Sequence, residues 1–239
     1  PTFESWHFTS YDNNLLDPEE IEAAKGSMSS FAFRQEFLAS FEAAGGAIFS
    51  EDWIEFDTEE PDEGDYYISV DLAGFADIEK ATTSKQKKLD TTSISVVKAG
   101  VDGWWVDNII YGRWDVKKTA DKIFQAVRDY QPIAVGVEKG ALKNAVYPYL
   151  TDRMKQEQFF FRVEELTHGN KRKTDRIIWA LQGRFEHGQI TLNEGEWNTE
   201  FLDQLFQFPN HLVHDDLIDS LAYIDQLAKI SYAYDYEED

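Results

Sequence analysis

Cysteine is absent from this 239-residue chain. Disulfides, thiolate nucleophiles and cysteine-based zinc sites are excluded with it, and the composition fits a reducing cytoplasm. No run of eighteen apolar residues occurs, and the opening "PTFESWHFTS" has neither a basic start nor an apolar stretch, so neither a membrane helix nor a secretory signal is expected. A phosphate loop of the form G-x-x-x-x-G-K-[ST] is also missing. The chain opens on Pro1 rather than Met, which reads as a fragment of a longer protein. Positive charge is scarce: the formal net charge is -22, which at first argues against a nucleic-acid partner, because phosphate binding draws on Lys and Arg.

What is present supports a folded, soluble protein. An apolar content of 42%, with 15% aromatic residues, supplies a core for one large domain or a domain with an appendage. The charge is unevenly spread. From Pro1 to Tyr66, 17 acids face only Lys25 and Arg34, whereas from Lys139 to Arg184 there are 10 bases against 5 acids. A basic sector inside an acidic chain engages DNA locally while its surroundings repel non-specific contacts; an ordinary solvated surface gives the same count.

Helix signals come first along the chain. "DPEEIEAAKGSM" pairs a capping Asp17 with Pro18 at the first helical position. "SSFAFRQEFLASFEAAGG" sets Phe31, Phe33, Phe37, Leu38 and Phe41 on one broad face and stops at Gly45 and Gly46. The acidic "SEDWIEFDTEEPDEGD" then reads as a linker ending near Asp65, which divides the chain into residues 1–65 and 66–239. From Tyr66, "YYISVDLAG", "TTSISVVKA" and "GWWVDNIIYGR" predict three strands in meander order. "DVKKTADKIFQAVRDY" predicts a helix opening on Asp115, and "PIAVGVE" a strand covered on both faces. A helix, the strand "QFFFRVEEL", the basic helix "KRKTDRIIWALQGRF", a hairpin "FEHGQITL" and two further helices complete an α/β domain of mixed sheet.

Two apolar runs end in an acid where Gly, Asn or Ser would be cheaper to bury: "ISVDLAG" at Asp71 and "IAVGVEKG" at Glu138. A third acidic group, Asp215 and Asp216 with Asp219 one turn further on, opens the apolar helix "HDDLIDSLAY". Helix capping alone accounts for acids there. If the two strands lie side by side and parallel, however, Asp71 and Glu138 emerge at one edge, and the late helix closes it. Such a cluster needs a cation, because carboxylates at close range raise one another's pKa. Oxygen-only ligation favours Mg2+ or Mn2+ over zinc, and two such ions about 3.5–4 Å apart are a known device for phosphodiester cleavage. A carboxylate site at a sheet edge beside a basic sector predicts a nuclease.

At this point a family resemblance becomes visible. "VDLAGFAD", "LDTTSISVV", "VGVEKG", "THGNKRKTDRIIWALQGRFEHGQI" and "HDDLIDSLAY" resemble, in that order, the nuclease domain of the large terminase subunit of tailed bacteriophages, over Tyr66 to about Leu227. The resemblance implies an RNase H-like mixed β-sheet flanked by helices, and a metal-dependent endonuclease that cuts concatemeric double-stranded viral DNA in the host cytoplasm. Matched residue by residue, it implies Asp71, Glu138 and Asp215 as catalytic metal ligands, with Asp77 and Asp216 supporting a second Mg2+ or Mn2+. The loop "THGNKRKTD" implies DNA contact by His168, Lys171, Arg172 and Lys173. Family members carry an ATPase domain and work with a portal and a small terminase subunit. Residues 1–65 accordingly read as the helical end of that ATPase domain plus an acidic linker, without ATPase activity of their own.

The residues leave two other readings open. One is a different RNase H-like nuclease, such as a Holliday junction resolvase or a transposase core; the other is a non-catalytic packaging or interaction module in which the acids only cap helices. Asp219 faces either the pocket or solvent, and His214 is a ligand, a proton carrier or a cap. Trp104 and Trp105 are expected to pack rather than to stack on bases.

Overall fold

The computed structural model describes residues 8–39, 48–73, 91–167, 172–210 and 212–228. Alternating apolar residues build a seven-stranded sheet from β1 (Glu55–Phe56), β2 (Asp65–Asp71), β3 (Thr92–Gly100), β4 (Gly103–Gly112), β5 (Ala134–Glu138), β6 (Val163–Leu166) and β7 (Ile190–Leu192). Its order is β1-β7-β4-β3-β2-β5-β6. The β2-β3-β4 meander is antiparallel, as expected, while β5 pairs parallel with β2, β6 with β5, and β7 with both β4 and β1. The β3–β4 turn needs Gly103, whose φ is 144° and whose missing Cβ would collide with the Gln189 carbonyl.

One face of this mixed sheet is covered by α3 (Val116–Tyr130) and α4 (Ala141–Glu157). Helix α3 starts where the Asp115 carboxylate accepts the Lys118 amide at 2.7 Å, and ends at Gln131 in the left-handed region before Pro132. Its buried stripe of Ala120, Ile123, Phe124 and Val127 has the helical period and packs on Ile68, Val70, Ile94, Val96, Val135 and Val137. The opposite face is covered by a composite helix and by α7 (Asn198–Gln207) and α8 (Asp216–Ala222). The composite helix runs as α5 (Lys173–Ile177), a π-helical turn (Ile178–Gln182) and α6 (Gly183–Glu186). A bulge in β4 at Asp107 lets Trp104, Val106 and Ile109 all face this second core.

Several expectations change. "FEHGQITL" is not a hairpin: after α6 the chain turns at Gly188 and Ile190–Leu192 runs parallel to β4. The strand in "QFFFRVEEL" is only Val163–Leu166; Phe159 and Phe161 instead pack with Phe124 at ring separations of 5.8 and 6.1 Å. The acidic stretch read as a linker contributes β1, and Trp105 donates its indole N–H to the Asp57 carbonyl at 2.8 Å. Ahead of it, α1 (Pro18–Ser27) is capped by Asp17 as predicted, and α2 (Ser30–Glu36) ends before Leu38, while the expected Phe41, Gly45 and Gly46 lie outside the described residues. Helix α2 is tied to α6, where the Ser30 amide donates to Glu186 at 2.9 Å. Among the described residues no helix is long and apolar enough to cross a membrane.

Candidate active site

Strands β2 and β5 are neighbours and parallel, with Val70 opposite Val137. Asp71 and Glu138, one residue further on, therefore leave the sheet side by side at its carboxyl edge. Strand alternation decides the face. Ile68, Val70, Val135 and Val137 point toward α3 and α4, while Tyr67 and Ala134 belong to the other core, so Ser69, Asp71 and Glu138 share the α8 side.

Helix α8 is pinned there by hydroxyls. Ser220 accepts or donates to Ser93 at 2.8 Å and Ser95 at 2.7 Å, its carbonyl accepts the Ser69 hydroxyl at 2.6 Å, and all four serines are fully buried. The strand serines sit at positions i and i+2 of the same face, two residues from Asp71 on β2 and across from it on β3. This network sets the depth and rotation of α8, and hence of its acids.

The acids of α8 do not cap it. Asp215 stands at the N-cap position without a side-chain cap bond; its carboxylate instead accepts the Lys173 ammonium at 2.7 Å. Lys173 also lies 2.9 Å from Asp219. Asp219 is 2% exposed, faces the pocket rather than solvent, and is ion-paired to the buried Arg176, whose guanidinium lies 4.0 Å over the Tyr223 ring. Asp216 is buried and accepts the Thr91 amide at 2.8 Å, with His214 Nδ1 3.8 Å away. Asp219, Arg176 and Ser220 are thus the contributors hardest to see in the sequence; the helical spacing of Lys173 and Arg176 is the one local signal.

Electrostatics tie these groups together. Burial pushes the Asp71 carboxyl well above its ordinary value; Asp219 pushes it further, Lys173 opposes, and Asp216 and Glu138 add to the rise. Burial alone would lower the Lys173 ammonium, but Asp219, Asp71 and Asp215 outweigh it and raise it above an ordinary lysine. Burial raises the Tyr223 phenol, and Arg176 offsets part of that. Five acids from two strands and one helix therefore share one field, and protein cations partly neutralise it.

Among the described residues no three His, Asp or Glu side chains are arranged to hold a metal ion as they stand. The donor chemistry nevertheless fits a hard cation. The oxygens are gathered around an ammonium at 2.7 and 2.9 Å, wider than the roughly 2.0–2.1 Å that Mg2+ requires. Asp77, His168 and Lys171 lie outside the described residues. Arg172 is 89% exposed and pairs with Asp175 at 3.2 Å, and other bases of the basic sector are also paired: Lys139 with Glu165, Arg153 with Asp121 and Glu157, Arg162 with Glu164, and Arg184 with Asp225. Trp104 and Trp105 are buried, as expected.

A mixed sheet with acids at the ends of two adjacent parallel strands and a late helix closing over them defines the RNase H-like class of α/β folds. Residues 75–226 match the terminase RNaseH-like domain family, and the chain belongs to that family. Solved structures share the fold at low identity. The large terminase of a thermophilic bacteriophage is 14% identical, with a TM-score of 0.63 over 92% of this chain and 53% of that one. This chain thus spans about half the length of that terminase. The large terminase nuclease of thermophilic phage G20c, with bound magnesium, is 15% identical over 76% of this chain and 97% of that one, at a TM-score of 0.52. The human cytomegalovirus terminase nuclease domain, manganese-soaked and inhibitor-bound, is 13% identical over 75% and 94%, at 0.55. A comparison with curated proteins returned no match.

Proposed function

We propose that this chain is the metal-dependent endonuclease module of a viral DNA-packaging terminase, cutting concatemeric double-stranded DNA. The observation that carries the reading is the convergence of Asp71 and Glu138, from adjacent parallel strands, with Asp215 and Asp216 on α8. Its support is membership of the terminase RNaseH-like family and a fold shared with terminase nucleases solved with magnesium and with manganese. Asp71, Glu138 and Asp215 would hold Mg2+ or Mn2+, with Asp216 and Asp77 available to a second ion. When bound, the metal supplies an activated water and stabilises the leaving oxygen. The protein's own part is positional. The serine network fixes α8 against β2 and β3, burial of Asp71 and Asp216 excludes bulk water, and Arg176 ion-pairs with Asp219 beside them. The loop with His168, Lys171 and Arg172 would meet DNA phosphates. In the complete terminase this module works in the host cytoplasm with an ATPase domain, a portal and a small subunit. Residues 1–65 would then link the motor to the nuclease. Incubating supercoiled plasmid with the protein should give nicked and linear DNA in Mg2+ or Mn2+ and none in EDTA; cutting that persists in EDTA defeats the proposal.

A further inference from the structure

We infer that Lys173 is a resident counter-cation that exchanges with the divalent ion: its ammonium fills the mouth of the acid cluster in the metal-free protein and leaves Asp215 when a metal arrives. The inference rests on the metal-dependent reading above, and it gives Lys173 a role other than the direct phosphate contact its basic neighbourhood implied. Lys173 opens α5 and reaches across to α8, touching Asp215 at 2.7 Å and Asp219 at 2.9 Å. The two carboxylates differ. Asp219 is 2% exposed and already neutralised by Arg176, which is 8% exposed and lies over the Tyr223 ring. That buried triad is a fixed floor. Asp215 lies higher, its side chain 34% exposed, and Lys173 is 40% exposed on a flexible four-carbon stem. The mobile cation and the accessible carboxylate thus meet at the rim, and the immobile pair lies beneath them.

A divalent ion on Asp215 Oδ1 competes with the ammonium, which holds that same oxygen at 2.7 Å. Their repulsion at such a separation exceeds thermal energy even at a partly exposed rim, and the ion needs its oxygens closer than the ammonium holds them. One cation must yield, and the ammonium has a tether that lets it swing while Arg176 does not. Lys173 therefore lowers metal affinity by competing for Asp215, and it keeps the acids from repelling one another while no metal is present.

The test is a Mn2+ titration of the metal-free protein, followed calorimetrically, for the wild type, Lys173→Gln and Arg172→Gln. The last removes the same charge from the adjacent residue, which contacts Asp175 and not the cluster. Lys173→Gln should bind Mn2+ at least about tenfold more tightly, equivalent to about 1.4 kcal/mol, while Arg172→Gln should stay within about twofold of wild type if screening through solvent governs it. Unchanged or weaker binding by Lys173→Gln, with the wild type binding normally, overturns the exchange and leaves the metal-dependent reading intact. If none of the three proteins binds Mn2+, both fall. A measurement on the wild type covers the case in which the variant misfolds: brief acylation with an amine reagent, read by mass spectrometry. Mn2+ should make Lys173 several-fold more reactive while leaving Lys98, which is held by Glu60 and the Pro61 carbonyl, unchanged. A Lys173 reactivity indifferent to Mn2+ overturns the proposal.

Discussion

On strand β2, Ile68 and Val70 face α3 and α4 across an apolar layer, whereas Ser69 and Asp71 between and beyond them face α8 across a polar one. The contrast continues on β3, where Ile94 and Val96 alternate with Ser93 and Ser95. The apolar layer stabilises by burial alone. The polar layer buries hydroxyls, carboxylates and a guanidinium, each costly unless partnered, and its partners are arranged so that one charge cluster stays open to the surface. Stability and site chemistry are thus separated within single strands, residue by residue, and the separation can be attacked from either side.

The largest expected effect is on the polar side. Asp71→Ala or Asp215→Ala should abolish metal-dependent plasmid cleavage while leaving the metal-free thermal midpoint equal to or above that of the wild type, because a like charge has been removed. The same logic gives a pH signature. Asp71 is held above its ordinary pKa, so the native state binds its proton more tightly than the unfolded chain, and stability is present at low pH and lost as pH rises through the folded pKa. Asp71→Asn should flatten that decline in the metal-free protein, and a decline that persists in the variant would locate the burden elsewhere.

On the apolar side, Phe124→Ala removes a ring that is 1% exposed and packed edge-on to Phe159. It should cost about 3–5 kcal/mol in urea unfolding while Mn2+ affinity stays at the wild-type value. A matching loss of affinity would show that the two faces are coupled. Ser220→Ala lies between these extremes. It deprives Ser93 and Ser95 of their shared partner, should cost about 1–3 kcal/mol, and should weaken Mn2+ binding as well, since α8 loses its anchor. The smallest effect belongs to the rim: neutralising Lys171 and Arg172 together should reduce the slope of log DNA affinity against log salt by about 0.9 per lost phosphate contact. An unchanged slope would make that loop a solvated surface.

Much of this was legible in the sequence because it is local. An acid ending an apolar run marks a strand end, so Asp71 and Glu138 stood out, and the β-branched alternation around them gave the meander and its neighbours. What escaped depends on distant partners. Lys173 reads as one more base in "NKRKTD", yet its contacts are 42 and 46 positions away on α8. Asp219 has the same period as Asp215, but only the serine network shows which face of α8 turns inward. The His187–Gly188 turn looked like a hairpin because turn residues specify a reversal and not the strand that the chain meets next; β7 finds β4 in parallel instead.

Strand β1 carries a further consequence. Two residues long, it covers the outer rim of β7, with Glu55 beside Thr191, Phe56 beside Leu192, and the Asp57 amide on the Leu192 carbonyl at 3.0 Å. A sheet that ends in uncovered backbone donors and acceptors is a template for another chain. Shortening the protein to begin at Asp65, where the acidic stretch gives way to strand pattern, would expose β7 and free the Trp105 indole from Asp57. Such a trimmed protein should self-associate in light scattering where a version beginning before Ile48 stays dispersed, so the acidic stretch works as a guard against aggregation.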